Sequence, residues 1–353
     1  MHDHRIAGGR GLAEEAHGGN LAAARKAFPQ APEPWLDLST GVNPYSYPIG
    51  DLPAEAFTRL PDPVELAGLE SAAALAYDAC AGFETVAAPG SQAIIAWLPH
   101  LLPARRVGVL GFAYAEHARS WRASGAEVTV VDDLAALADK DVAVVVNPNN
   151  PDGRLVSADD LRELARVLGE RGGQLIVDEA FMDFLPPGAS VVPQMPIGGI
   201  VALRSFGKTY GLPGLRLGFA IAPEALAGKL RRALGCWPVS GAAVEIGTRA
   251  LADPAWLGST RRKLEADAKA RDEILAAARL APLGGGLLFQ LVAREDARSL
   301  FEGLAKAGIW VRRFDAQPNW LRFGTPNRES DRARLRAALG LGERCGDSLM
   351  RGE

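Results

Sequence analysis

The segment at residues 205–218, SFGKTYGLPGLRLG, carries the residue types best suited to chemistry. Lys208 lies in it between Ser205 and Arg216, and a hydroxyl and a guanidinium that converge on one point suit a phosphate group. The glycines of the segment allow backbone turns that other residues resist. A basic loop disfavours the ammonium form of a lysine, and a neutral amine can attack an aldehyde. The segment therefore predicts a phosphate site beside a nucleophilic lysine.

Two further polar motifs stand at the ends of apolar runs. NPNNPDG at 147–153 follows VAVVV, and DEAF at 178–181 ends the run QLIVD. Open α/β sheets bind ligands at the carboxyl ends of their strands. We therefore expect Asn150 and Asp178 to face the same ligand as Lys208.

A fourth motif, APGSQAII at 88–95, is a glycine-bearing turn that opens a helix. The free N–H groups and the dipole at such a helix start attract phosphate. Ser91 and Gln92 would supply backbone or side-chain donors, although a plain helix cap is the alternative interpretation.

The spacing of apolar runs predicts a mostly parallel α/β sheet of seven strands covered by helices on both faces. The candidate strands are 84–88, 106–110, 127–131, 142–146, 174–178, 200–204 and 217–222. Beyond about residue 225, a long helix and three short strands predict a smaller α+β domain. We expect an N-terminal arm at 1–44 that packs with the small domain and the active site, a large domain at 45–230 and the small domain at 231–353.

The bulk composition excludes several classes of function. The chain has 353 residues and a net charge of −3, without long charged blocks, which argues against a nucleic-acid partner. Its three cysteines are far apart and form no CxxC, so neither a metal site nor a disulfide framework is indicated. With no signal peptide and no apolar run of membrane length, we expect a cytoplasmic protein without a membrane partner.

These motifs, in this order, resemble the aspartate aminotransferase superfamily, which is fold type I of the enzymes that depend on pyridoxal 5'-phosphate (PLP). The family motif is Ser-x-x-Lys with an arginine eight residues beyond the lysine, as found here. The resemblance implies that PLP is the cofactor and that Lys208 binds it covalently. It further implies that the phosphate lies against Ser205, Arg216 and the turn at Ser91 and Gln92. Asn150 would then contact the phenolic oxygen, and Asp178 would pair with the pyridine nitrogen.

Two other segments acquire roles from the same resemblance. FAYAEH at 112–117 stands where the family has an aromatic residue over the cofactor ring; in register this residue is His117, with Tyr114 as the rival. NWLRFGTP at 319–326 places Arg322 where the family binds the substrate carboxylate. The sequence assigns no role to Arg312 or Arg313. Because family members are usually homodimers, we expect one here.

Within the family, two branches compete. HGGN at 17–20, LDLSTGVNP at 36–44 and DEAFMDFLP at 178–186 resemble the threonine-phosphate decarboxylases of cobalamin biosynthesis. This likeness implies a small phosphorylated amino-acid substrate, L-threonine O-3-phosphate, positioned by His17, Asn20 and Asn43. The alternative is an aminotransferase acting on histidinol phosphate or a related amino acid, and a third, lesser one is a relative without enzymatic activity.

Overall fold

The computed structural model describes residues 18–196 and 198–342, so His17 lies outside the described residues. Twelve strands, numbered along this part of the chain, form two sheets. The first sheet contains the seven predicted strands, each within one residue of its expected bounds. They are β2 (Phe83–Ala88), β3 (Arg106–Leu110), β4 (Glu127–Val131), β5 (Val142–Val146), β6 (Gln174–Asp178), β7 (Ile200–Arg204) and β8 (Gly218–Pro223).

The strand order of this sheet is β2-β8-β7-β6-β5-β3-β4. Strand β8 is antiparallel to both of its neighbours, and every other pairing is parallel. The predicted α/β fold with a mostly parallel seven-stranded sheet is therefore confirmed. The burial of the strands also agrees with this prediction. Strand β5 is buried along its whole length, as expected for a strand covered by helices on both faces.

Helices cover both faces of the sheet. The α-helices of the described residues are α1 (Leu21–Ala27), α2 (Glu55–Thr58), α3 (Pro63–Ala76), α4 (Ser91–Leu101), α5 (Ala115–Ala123), α6 (Ala158–Gly169), α7 (Phe206–Thr209), α8 (Glu224–Leu234), α9 (Gly241–Leu251), α10 (Pro254–Ala277), α11 (Ala297–Lys306) and α12 (Glu329–Ala338). Successive strand residues enter different cores: Val145 and Val177 pack into one cluster, whereas Val144 and Ile176 pack into another. This alternation follows from the two-residue repeat of a strand.

The second sheet has the order β1-β11-β12-β10-β9. Its strands are β1 (Leu36–Leu38), β9 (Pro282–Gly285), β10 (Phe289–Ala293), β11 (Ile309–Phe314) and β12 (Gln317–Gly324). Strand β1 comes from the N-terminal segment and pairs in parallel with β11. The bounds of the domains stay a prediction. No helix of the described residues is both long and apolar enough to cross a bilayer.

Candidate active site

Three adjacent parallel strands end at one cavity. Val146, the last residue of β5, lies opposite Asp178 at the end of β6, and Asp178 lies opposite Leu203 of β7. The loop after β5, the aspartate and the start of the lysine segment therefore meet at the same edge of the sheet. This is the edge at which open α/β sheets bind their ligands.

A cavity of about 160 Å³ opens at this edge. Seven of the eight residues expected to contact the cofactor line it, and the exception is His117. The seven are Ser91, Gln92, Asn150, Asp178, Ser205, Lys208 and Arg216. The structure thus brings together side chains that lie up to 125 positions apart in the sequence, while their individual roles stay predictions.

One end of the cavity has the character of an anion site. The guanidinium of Arg216 lies over Gly90, where an added Cβ would come within 2.6 Å of Nη2. Gly90 has a φ of +81° and caps α4, so the N-terminus of that helix faces the same space. Gly218 permits an equally close approach, because a Cβ there would lie 2.3 Å from the backbone nitrogen of Ser91. A cation and a helix N-terminus at one point suit a phosphate group.

Lys208 lies in the short helix α7, with its amine directed into the cavity. Burial and the nearby guanidinium of Arg322 lower the pKa of Lys208 to about 8, and Arg216 acts in the same direction. The carboxylate of Asp178 opposes them but does not cancel their effect. At neutral pH a larger fraction of this amine is therefore neutral than in an ordinary lysine, and the neutral form is the one that attacks a carbonyl carbon.

The position of His117 differs from the expectation. Its imidazole is 1% exposed, and Nε2 lies 2.8 Å from Oδ2 of Asp178, beneath the cavity. Tyr114, the rival aromatic residue, lines the cavity instead. The physical reason is where the helix begins: Tyr114 immediately precedes α5 and faces the open edge, whereas the third residue of the helix turns back toward β6. The prediction of His117 as the ring-stacking residue is therefore wrong.

A second cavity, of about 150 Å³, adjoins the first and shares Tyr114, Asn150, Phe181 and Lys208 with it. Two cationic side chains, Arg312 and Arg322, line only this second cavity. They project from adjacent strands, since Arg312 of β11 pairs with Arg322 of β12.

Arg322 is held in place by neutral partners. Its Nη1 donates to the side-chain oxygen of Asn150, and its Nη2 donates to the carbonyl of Ser39 at 2.9 Å. Its guanidinium also lies 5.0 Å from the ring centre of Phe289. Burial and the charge of Arg312 both lower the pKa of Arg322. Asp37 acts in the opposite direction, but the hydrogen bonds of Arg322 go to neutral oxygens, so this end of the cavity favours an anion.

Two of the residues expected to contact substrate lie elsewhere. Asn20 caps helix α1, where its side-chain oxygen accepts from the backbone of Ala23 at 3.0 Å. Asn43 is 2% exposed, and its amide is used at both ends: Nδ2 donates to the carbonyl of Thr209 at 2.7 Å, and Oδ1 accepts from the backbone of Tyr45. Neither residue lines the two cavities. The prediction for Asn43 is wrong because its amide is bound within the protein, whereas a substrate contact of Asn20 stays a prediction.

The sequence left Arg312 without a role, although a signal was present. Strands were expected near 309–312 and 320–323, and a tight hairpin between them would place Arg312 beside Arg322. Tyr114 carried a signal too, because an aromatic residue just before a helix start stands at the same edge as the glycine turn before α4.

Among the described residues, no group of three or more His, Cys, Asp or Glu side chains could hold a metal ion.

Comparison with known proteins agrees with this arrangement. The profile of the family described as aminotransferase class I and II matches residues 51–338. A threonine-phosphate decarboxylase from Pseudomonas aeruginosa is 40% identical over 326 residues, which cover 92% of this chain and 96% of that protein. Another, from Sinorhizobium sp, is also 40% identical and covers 92% of this chain and 97% of its own length.

A solved structure shows the same fold. Histidinol-phosphate aminotransferase from Sinorhizobium meliloti, in complex with pyridoxal-5'-phosphate, has a TM-score of 0.79 at 21% identity. The alignment covers 95% of this chain and 97% of that one. By its family profile and its full-length relatives, the chain belongs to the aminotransferase class I and II family.

Proposed function

We propose that this chain is a PLP-dependent lyase that converts L-threonine O-3-phosphate into (R)-1-amino-2-propanol O-2-phosphate and carbon dioxide. The observation that carries the proposal is the pair Arg312 and Arg322, which lines a cavity beside Lys208. The substrate has two anionic groups, a phosphate and a carboxylate, and the cavity offers one guanidinium for each. The full-length relatives named threonine-phosphate decarboxylase support the same reaction.

The residues of the first cavity fit PLP. Arg216 and the start of α4 form a site for its phosphate, and Lys208 supplies an amine of lowered pKa for its aldehyde. Asp178 would place its carboxylate against the pyridine nitrogen. The position of that carboxylate is fixed by His117, whose Nε2 lies 2.8 Å from Oδ2 of Asp178. Tyr114 would cover the face of the ring. When bound, PLP acts as an electron sink for charge that develops at the substrate α-carbon.

The substrate lies in the second cavity under this proposal. Arg322 binds the α-carboxylate through its guanidinium, and its bonds to Asn150 and Ser39 fix that group before substrate arrives. Arg312 binds the phosphate, with the ring of Phe314 5.1 Å from its guanidinium carbon. Thr40 and Gly41 form part of the wall of this cavity and limit the space for water.

Lys208 has a second task once carbon dioxide has left. The α-carbon must receive a proton, and the amine of Lys208 borders both cavities. With a pKa of about 8, this amine can carry the proton and release it near neutral pH. Phe181, whose ring centre is 6.0 Å from the amine nitrogen, offers no competing hydroxyl.

We further propose that the chain forms a homodimer. Large apolar side chains are exposed close together in sequence, with Phe57 at 70%, Leu60 at 65% and Val64 at 79%. Trp237, exposed at 54%, lines an adjoining groove that includes Pro61 and Pro63. Large exposed apolar side chains of this kind are typical of a protein interface. A cytoplasmic location stays a prediction from the cysteine pattern.

The reaction is tested by incubating purified protein with L-threonine O-3-phosphate and no keto acid, and by following both products by mass spectrometry. We expect carbon dioxide and aminopropanol phosphate in equal amounts. Absence of carbon dioxide, together with amino transfer from histidinol phosphate once 2-oxoglutarate is added, would overturn the proposal in favour of the aminotransferase.

The roles of the arginines are separated in the same assay. We expect Arg312→Gln to lower kcat/KM for the phosphorylated substrate by at least about 30-fold, the low end for loss of a buried charge partner. Activity toward unphosphorylated L-threonine should not fall, whereas Arg322→Gln should impair both substrates. Arg313→Gln is the matched control, because Arg313 is exposed on the same strand and pairs with Asp315.

The lowered pKa of Lys208 predicts how its reactivity depends on pH. Below about pH 8 the amine is protonated and inert, so the rate at which cofactor-free protein captures PLP should rise with pH through a midpoint near 8. Removing a neighbouring cation in Arg322→Gln should move this midpoint upward, and Arg313→Gln should leave it in place. A midpoint near 10.5, the usual lysine value, in the unchanged protein would contradict the proposed environment.

The dimer is tested by light scattering coupled to size-exclusion chromatography. We expect the unchanged protein to elute with twice the mass of one chain, and Phe57→Ser with Val64→Ser to raise the dissociation constant, because burial of these rings and methyl groups would drive association. Leu155→Ser, at a side chain exposed at 47% on another surface, is the control. A monomeric unchanged protein would refute the homodimer.

A further inference from the structure

The side chain of Gln92 connects the starts of two helices at the rim of the first cavity. Gln92 lies in the first turn of α4, and Tyr114 immediately precedes α5. The hydroxyl of Tyr114 donates to Oε1 of Gln92 at 3.0 Å, and Nε2 of Gln92 donates to Oε2 of Glu116 at 3.2 Å. Glu116 in turn accepts from Nη1 of Arg119 at 2.8 Å.

The chemistry of these partners fixes which way the amide faces. A carboxylate such as Glu116 only accepts hydrogen bonds, so the NH₂ group of Gln92 must face it. Burial, reinforced by Glu116, raises the pKa of Tyr114 to about 12, so the phenol keeps its proton and donates to the amide oxygen. In this orientation the amide oxygen and one N–H are directed to protein groups. The side chain of Gln92 therefore holds the hydroxyl of Tyr114 through a hydrogen bond and is itself held by Glu116.

The ring of Tyr114 also contacts His117. The imidazole of His117 meets its ring edge to face, with 6.3 Å between ring centres and an angle of 84°. That imidazole is bound to Asp178, which also lines the cavity. The hydroxyl and the ring of Tyr114 are thus held by two different groups.

We propose that Gln92 is a positioning residue that holds the ring of Tyr114 over the face of the cofactor, and that its side chain does not bind the cofactor phosphate. The inference rests on the proposed cofactor but not on the proposed substrate. It assigns to Gln92 a role different from the phosphate donor expected from the glycine turn.

The two roles are distinguished by removing the phosphate from the ligand. Full-length protein stripped of cofactor is titrated with PLP and with pyridoxal, and binding is followed by visible absorbance and circular dichroism. We expect Gln92→Leu to weaken both ligands by the same factor, about 2- to 10-fold, the range that one neutral hydrogen bond supplies. The visible dichroism, which reports how the bound ring is oriented, should change as well. Arg216→Gln is the control, and it should weaken PLP far more than pyridoxal.

A double-mutant cycle with Tyr114→Phe tests whether Gln92 acts through the phenol. Gln92→Leu should have little further effect on pyridoxal binding when the hydroxyl is already absent. Gln92→Glu should also weaken pyridoxal binding, because its carboxylate repels Glu116. The double variant Gln92→Glu/Glu116→Gln should restore binding, because it rebuilds the bridge with the donor and acceptor exchanged. Far-UV circular dichroism and the thermal midpoint show whether each variant is folded.

Three results would overturn the inference. The first is a Gln92→Leu penalty that appears with PLP and vanishes with pyridoxal, which would place the amide on the phosphate. The second is an equal penalty in the presence and absence of the Tyr114 hydroxyl. The third is no penalty for either ligand. Failure of the unchanged protein to bind PLP would overturn the cofactor itself, whereas failure to release carbon dioxide would leave this inference standing.

Discussion

Hydrogen bonds between residues 43–47 and residues 208–211 hold Lys208 in place. Helix α7 has only four residues, so the carbonyl groups at its C-terminal end find no partners within the helix and must be satisfied from outside. Four consecutive carbonyls accept hydrogen bonds from the N-terminal segment. The carbonyl of Lys208 accepts from the backbone N–H of Asn43 at 3.0 Å, and that of Thr209 accepts from the Asn43 side chain at 2.7 Å. The carbonyl of Tyr210 accepts from the backbone N–H of Tyr47 at 2.8 Å, and that of Gly211 accepts from the Ser46 hydroxyl at 2.8 Å. The approach is so close that a Cβ on Gly211 would lie 2.6 Å from the carbonyl oxygen of Tyr45.

The same turn is held from beneath by buried charges. The hydroxyl of Thr209 donates to Asp183, whose other oxygen accepts from Arg204 at 2.7 Å. Arg204 also pairs with Glu179 at 2.9 Å, so one guanidinium joins two carboxylates that follow β6. The backbone of Lys208 is thereby fixed where the charges of the cavity converge. This fixed position lets burial and two arginines lower the pKa of the amine without displacing it.

The sequence predicted the sheet and most of the first cavity, because both follow from local patterns. Buried strands are continuous apolar runs, and polar residues directly after parallel strands must meet at one edge. The errors concern side-chain direction: the imidazole of His117 is directed to Asp178 beneath the cavity, whereas Tyr114, just before α5, lines the cavity. Asn43 was expected to bind substrate because its segment resembles the substrate loop of the decarboxylases, yet its amide donates to the carbonyl of Thr209 at the end of α7. The sequence does not show which carbonyls of α7 need a partner. Arg312 lines the second cavity because β11 pairs with β12, and the sequence does not show the register of that pairing.

The central claim is that Lys208 carries the cofactor. Reduction of the cofactor-loaded protein with borohydride makes the bond between amine and cofactor permanent, and peptide mass analysis then locates it. The account predicts one phosphopyridoxyl group, on the peptide that contains Lys208. Its appearance on another residue, such as Lys140 or Lys229, with Lys208 unmodified, would contradict the account.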